Sequence, residues 1–217
     1  MRIEIAAVTK TYCRKRVFHN LSWQLDKGTI HVVTGPNGSG KTTLLRLVSG
    51  LEKPTSGRVI FQMNDKIIEP SGLRNLLGLV SPDLGMYSQL SSLENLKFFA
   101  ALRGISAGEM QIKKLLEKFQ LKGEINRPIV TFSTGMKQRL KLALALLNEP
   151  LFLLMDEPST NLDAAGKELV ADIIEEQARK GVILIATNEQ GEVDRHGQDV
   201  LHLGQVNRSP GQKGFNG

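Results

Sequence analysis

The segment GPNGSGKTT, residues 35–43, limits what this chain can fold into more than any other stretch. It follows TIHVVT (29–34), a short apolar run that reads as a buried strand. It precedes LLRLVSG (44–50), which reads as a helix stopped at Gly50. A strand that turns at once into a helix through glycines is the opening of a strand–loop–helix unit, and such units stack into parallel sheets. The apolar runs LLGLVS (76–81), LFLLM (151–155) and VILIAT (182–187) supply further core strands. Segments 2–8, 17–25 and 58–63 are rich in Ile, Val and Phe and read as an N-terminal β portion. From about 91 to 148 the pattern turns helical. Ile112, Leu115, Leu116 and Phe119 share one helix face, and Met136, Leu140, Leu144 and Leu147 share another that Ser133 can cap. A further helix between 163 and 181 is expected to be capped by Asp163 and ended by Gly181. The expected fold is α/β, with a mostly parallel core sheet, an N-terminal antiparallel β portion and an inserted helical part.

The bulk numbers narrow the class. With 217 residues, 41% apolar and 23% charged, the chain has ordinary globular composition. No apolar run approaches the roughly 18–20 residues that span a bilayer. MRIEIAAVTKTY at the N-terminus is too interrupted by polar residues to be a secretion signal. Cys13 is the only cysteine, which excludes an internal disulfide, fits a reducing cytosol and reads as a small packing residue. The net charge is +6, but no basic block exceeds RKR at 14–16, so the charge reads as dispersed and no nucleic acid partner is expected. His196 reads as a surface residue, and His19, His31 and His202 carry no signal.

Gly35, Gly40, Lys41 and Thr42 match G-x-x-x-x-G-K-[ST], the phosphate loop, with a strand before it and a helix after it. The glycines let the backbone turn after Pro36 so that successive N–H groups, those of Asn37, Gly38, Ser39 and Thr43 among them, point inward at phosphate oxygens, aided by the helix N-terminus. Lys41 is suited to bridge the β- and γ-phosphates, and the Thr42 hydroxyl to ligate Mg²⁺. LFLLMDEPSTNLD (151–163) drives an apolar strand into two neighbouring acids, which is costly unless a cation sits there. Ligands collect at the carboxyl ends of parallel strands, so Asp156 would arrive beside the phosphate loop, where Mg²⁺ supplies the cation. Glu157 would then orient and deprotonate an attacking water.

The chain resembles the ATP-binding cassette (ABC) ATPases over nearly its whole length. FSTGMKQRL (132–140) resembles the family signature, usually written L-S-G-G-Q, with Ser133 and Gly135 retained and Thr134 and Met136 replacing Gly and Gln. The resemblance implies that these four residues meet the γ-phosphate of ATP bound to a second protomer, in a homodimer or an ABC heterodimer. It implies that STNLD (159–163) crosses that interface and that Tyr12 stacks on adenine. It further implies a single ABC ATPase domain over 1–206 with a helical subdomain at about 84–148, while NRSPGQKGFNG (207–217) reads from its own composition as a flexible tail. The partner would be an integral membrane permease, placing the chain in the cytoplasm, peripheral on the inner face of the cell membrane.

Two residues depart from the family pattern. Pro82 stands where the family has a Gln touching the Mg²⁺ site; proline offers no side-chain donor or acceptor, so that role would either go unfilled or pass to Asp83. Asn188 stands where the family has a His on the γ-phosphate; Asn donates a hydrogen bond but carries no charge. STGMKQR and ENLKFFAALRG (94–104) are similar to bacterial exporter ATPases, and the short length to the compact haem exporter ATPases of cytochrome c maturation. A soluble ABC ATPase of DNA repair or translation is a rival reading, though such proteins usually bring two cassettes, a long coiled coil or a zinc module. A low-turnover regulatory module is another, suggested by Pro82 and Asn188 and opposed by the retained Glu157.

Overall fold

A computed structural model describes residues 1–13 and 15–204. In chain order its main elements are β1 (Arg2–Tyr12), β2 (Lys15–Asp26), β3 (Ile30–Thr34), α1 (Lys41–Val48), β4 (Ser56–Met63), β5 (Lys66–Ile67), α2 (Pro70–Leu73) and β6 (Leu77–Val80). There follow α3 (Ser92–Leu102), α4 (Glu109–Lys118), α5 (Thr134–Leu146), β7 (Phe152–Asp156), α6 (Ala164–Lys180), β8 (Val182–Thr187), α7 (Gln190–His196) and β9 (Asp199–His202). Among the described residues the strands form two sheets. One is antiparallel with order β2-β1-β4-β5; the other has order β6-β7-β8-β3-β9 and is parallel at every pairing.

Residues alternate across a strand, and the parallel sheet uses that alternation to feed two cores. Leu153 and Met155 of β7, with Ile183 and Ile185 of β8, pack into the core that holds Leu116, Leu140, Leu144 and Ile174. Phe152 and Leu154, with Val182, Leu184 and Ala186, pack instead against Leu44, Leu45 and Val48 of α1 and Ile3, Ile5 and Phe61 of the antiparallel sheet. Both faces being covered explains why these strands read as unbroken apolar runs rather than alternating ones.

The expected helix ends are where side-chain chemistry put them. Ser133 caps α5 by accepting from the Met136 N–H at 3.2 Å, and Asp163 caps α6 by accepting from the Gly166 N–H at 2.9 Å. Gly50, at φ +75°, turns the chain out of α1. Four elements went unread in the sequence: the short β5 hairpin partner, the single-turn α2, α7 and the edge strand β9. Two single-residue readings are corrected. Cys13 is exposed, in the turn between β1 and β2, and packs no core. His196 is buried, because α7 folds back against β3 and β8. Burial there lowers its pKa, with Arg195 nearby adding to the effect. His31, without a sequence signal, accepts from the Asp26 N–H through Nε2 at 2.9 Å, so its Nδ1 proton faces Asp199 at 2.7 Å. Trp23 Nε1 donates to the same carboxylate oxygen at 2.8 Å, tying β2, β3 and β9 together. The tail expected at 207–217 lies outside the described residues.

The Glu176 carboxylate joins α4 to α6, accepting from Lys118 at 2.7 Å and from Lys180 at 2.5 Å. The two lysines hold its pKa down to about 2, from an ordinary 4.5. A carboxylate depressed on folding stabilises above its unfolded pKa and loses that contribution as pH falls through the folded value. Glu176→Gln is therefore expected to lower stability at pH 6 by less than about 1 kcal/mol, since the pair is solvent-screened. The deficit should vanish as the pH falls from 4.5 to about 2, as read by urea melts across that window.

Candidate active site

The phosphate loop closes at the carboxyl end of β3, and sterics dictate its glycines. A Cβ on Gly40, at φ +107°, would lie 2.6 Å from Val17 Cγ1, and one on Gly35 would lie 2.5 Å from the Leu203 carbonyl oxygen. β2 and the end of β9 thus press on the loop from both sides. Lys41 opens α1 and is nearly buried. Its Nζ donates to the Gly35 carbonyl at 2.7 Å and, more weakly, to that of Pro36 at 3.5 Å. The ammonium is therefore held inside the curve of the loop. The Ser39 hydroxyl is buried in the same loop with no hydrogen-bond partner.

β7 carries the acids. Asp156 is its last residue, on the face of Phe152 and Leu154 toward α1, and it accepts from the Thr42 hydroxyl at 2.7 Å. Burial pushes its pKa up, while the Thr42 hydrogen bond and the Lys41 charge pull the other way. Glu157 then adopts φ +49°, a left-handed conformation, and its N–H donates to the Ala186 carbonyl at 2.8 Å. That turn directs Glu157 to the end of β8, where its carboxylate lies 3.4 Å from the Thr187 hydroxyl. Burial raises its pKa too; the Asn188 backbone N–H and Lys41 oppose the rise, and Glu192 and Asp156 add to it. A partly desolvated carboxylate with a raised pKa is a better proton acceptor than one in water.

Asn188 arrives beside this pair from β8, and its Nδ2 donates to Asn37 Oδ1 at 3.2 Å, on the phosphate loop. One cleft of about 620 Å³ joins the phosphate loop to both acids, and Asn188 is not among the described residues that line it. Tyr12, Pro36–Thr43, Asp156 and Glu157 line it, together with Lys15, Arg16, Val17, Pro82 and Gly204. Thr42 and Asp156 offer a hydroxyl and a buried carboxylate 2.7 Å apart, oxygen donors of the kind Mg²⁺ takes. Ser39, with its unused hydroxyl, fits a phosphate oxygen. The residues present therefore fit Mg·ATP.

The signature residues lie elsewhere. None of Ser133, Thr134, Gly135 and Met136 is among the described residues lining this cleft. Thr134 faces a separate one with Lys137, Gln138 and Asn161. A Cβ on Gly135 would stand 3.0 Å from the Asn161 carbonyl, so the start of α5 packs on the 159–163 loop of its own chain. Gln138 reinforces that contact by donating to the Pro158 carbonyl at 2.9 Å. Asp83 spends its carboxylate on Arg46, at 2.5 Å, and Pro82 rather than Asp83 reaches the cleft. Sequence reading missed Arg46, and it missed Lys141, whose Nζ donates to the Pro82 carbonyl at 2.7 Å and the Ser81 carbonyl at 3.2 Å. Neither residue has a local motif; each acts across a long sequence separation.

A glycine loop at the carboxyl end of a parallel strand, a buried lysine within it and an acid beside its threonine define a P-loop nucleotide-binding protein. Comparison with known proteins narrows the class. Residues 18–160 match the ABC transporter family, and the chain belongs to it. It is 34% identical over 193 residues to a lantibiotic transport ATP-binding protein of Streptococcus pyogenes, covering 88% of this chain and 82% of that one. It is 33% identical to a daunorubicin resistance ATP-binding protein of Streptomyces coeruleorubidus, over 86% of this chain and 60% of the relative. Among solved structures, the ATP-binding subunit of an ABC transporter superposes with a TM-score of 0.84 at 25% identity, over 95% of this chain and 87% of that one. The chain is thus an ATP-binding subunit of the ABC transporter type. Among the described residues no helix is long and apolar enough to cross a membrane.

Proposed function

We propose that this chain hydrolyses Mg·ATP as one half of a head-to-tail dimer and so drives a separate membrane permease. The observation that carries this reading is the Asp156–Glu157 pair. Asp156 is hydrogen-bonded to Thr42 under the phosphate loop, and Glu157 is turned toward Thr187 and Asn188 at the rim. Pro36–Thr43 would wrap the phosphates, with Lys41 leaving its loop carbonyls to meet the β- and γ-phosphates. Thr42 and Asp156 would hold Mg²⁺, which when bound neutralises charge on the transferring phosphate. Glu157 accepts the proton of the water that attacks the γ-phosphorus as the bond to ADP breaks. Asn188 supplies a neutral hydrogen bond to the γ-phosphate in place of a cation. Tyr12 stacks on the base.

The second half of each site would be Ser133–Met136 of the other protomer. In this chain those residues form the capped start of α5, with their N–H groups at a helix N-terminus suited to an anion. The single nucleotide-binding domain would run over 1–206, with 84–148 as its helical insertion. Relatives named for lantibiotic transport and daunorubicin resistance support an exporter, docked on the inner face of the cell membrane through its permease.

Asn188 tests the reading. A charge-assisted hydrogen bond is worth about 1.5–3 kcal/mol against about 1 for a neutral one. The difference, of order 1–2 kcal/mol, corresponds to roughly a 5- to 30-fold slower chemical step. Asn188→His is expected to raise single-turnover hydrolysis at saturating Mg·ATP by about that factor, from a measurable wild-type rate. No hydrolysis by either protein would favour the low-turnover regulatory module that Pro82 and Asn188 suggest.

A further inference from the structure

Glu52 does not line the nucleotide cleft, yet it grips a residue that does. It sits on the turn that ends α1, where Gly50 adopts φ +75° and the Glu52 N–H takes the Arg46 carbonyl at 3.0 Å. That turn brings its carboxylate against the end of β1, where three donors meet it. The Tyr12 hydroxyl donates to Oε2, Lys10 Nζ lies 3.1 Å from the same oxygen, and Arg46 Nη1 lies 3.5 Å from Oε1. Lys10 is fixed further by donating to the Lys53 carbonyl at 2.8 Å, and its Nζ stands 4.7 Å from the centre of the Tyr12 ring. The ring is thus tied at its hydroxyl and backed by a cation, while 41% of the residue stays exposed on the cleft.

A tyrosine at a strand end otherwise rotates freely, and ordering it on ligand binding costs side-chain entropy. Here that ordering precedes the ligand. We propose that Glu52 is a positioning residue, which holds Tyr12 in place as the stacking platform for the nucleotide base. The proposal rests on the nucleotide reading of the phosphate loop above. It predicts that Glu52 matters to ligands with a base and not to the phosphates alone.

Titration calorimetry with Mg·ATP and with Mg·tripolyphosphate, which has no base or ribose, separates the two. Glu52→Ala is expected to weaken ATP roughly 3- to 10-fold, a share of what removing a stacking aromatic costs. Tripolyphosphate affinity should stay within about twofold, because Glu52 itself bonds Tyr12, Lys10 and Arg46 and none of the phosphate-loop residues 35–43. Glu52→Gln keeps an acceptor for the Tyr12 hydroxyl and should recover most of the ATP affinity. Tyr12→Phe, which keeps the ring and leaves the fold alone, should reproduce the Glu52→Ala loss. The double variant Tyr12→Phe, Glu52→Ala should be no weaker than either single one. Equal weakening of both ligands in Glu52→Ala, no weakening of either, or additive losses in the double variant would overturn the proposal. Failure of the wild type to bind either ligand would instead sink the phosphate-loop reading beneath it.

Discussion

Replacing Glu157 with glutamine is expected to slow hydrolysis of bound ATP by about 10²–10⁴-fold, the span typical for removing a general base. The substitution keeps the shape of the side chain and its position after the left-handed turn at φ +49°. It removes only the proton acceptor that burial has made more basic. Nucleotide binding should survive, because Lys41 and the phosphate loop are untouched. The variant should therefore hold ATP without consuming it and stay closed as a dimer. Two measurements check this: single-turnover hydrolysis at saturating Mg·ATP, and sedimentation with and without Mg·ATP. Equal rates for wild type and variant would remove Glu157 as the base. A monomer under both conditions would count heavily against the two-protomer site. The expected effect exceeds that of Asn188 because the amide of the variant accepts no proton, whereas Asn188 still donates a hydrogen bond.

Lys41→Ala should abolish function by a different route. The ammonium is nearly buried and already desolvated within the curve of the loop, so a phosphate meets it without first stripping its water. Truncating one partner of such a charge pair costs roughly 2–5 kcal/mol, equivalent to about a 30- to 5000-fold loss of ATP affinity. The fold should persist. The internal cost is the Gly35 carbonyl left without its donor, about 1–3 kcal/mol if it stays dry. Affinity by calorimetry and a thermal melt on the same sample separate the two effects. Near-normal ATP affinity in a folded Lys41→Ala protein would move the nucleotide away from this loop.

Much of this architecture is legible in the sequence because its determinants are local. A phosphate loop needs glycine at 35 and 40, a buried parallel strand needs a run such as FLLM, and a helix start favours Ser133 or Asp163. Each of these is a preference of a few consecutive residues, set by backbone sterics, by side-chain period or by one hydrogen bond. The adjacency of Asp156 and Glu157 to an apolar run was likewise enough to raise the question of a missing cation.

What the sequence left open involves contacts between distant residues. β9 is too short and polar to read alone, yet Trp23 and His31 both hold Asp199, and Leu203 closes against the loop at Gly35. The histidine in α7 resembles any surface histidine until the helix is packed against β3 and β8. Asp83 pairs with Arg46, which α1 brings to it from 37 residues away in the chain. Glu52 carried no motif at all, and its grip on Tyr12 spans 40 residues. Residue types and spacing thus determined that a phosphate loop, an acid pair and a parallel sheet would be present. Tertiary structure decided which charges those parts meet, because a side chain's partner depends on where the folded backbone delivers it, and no local preference encodes that.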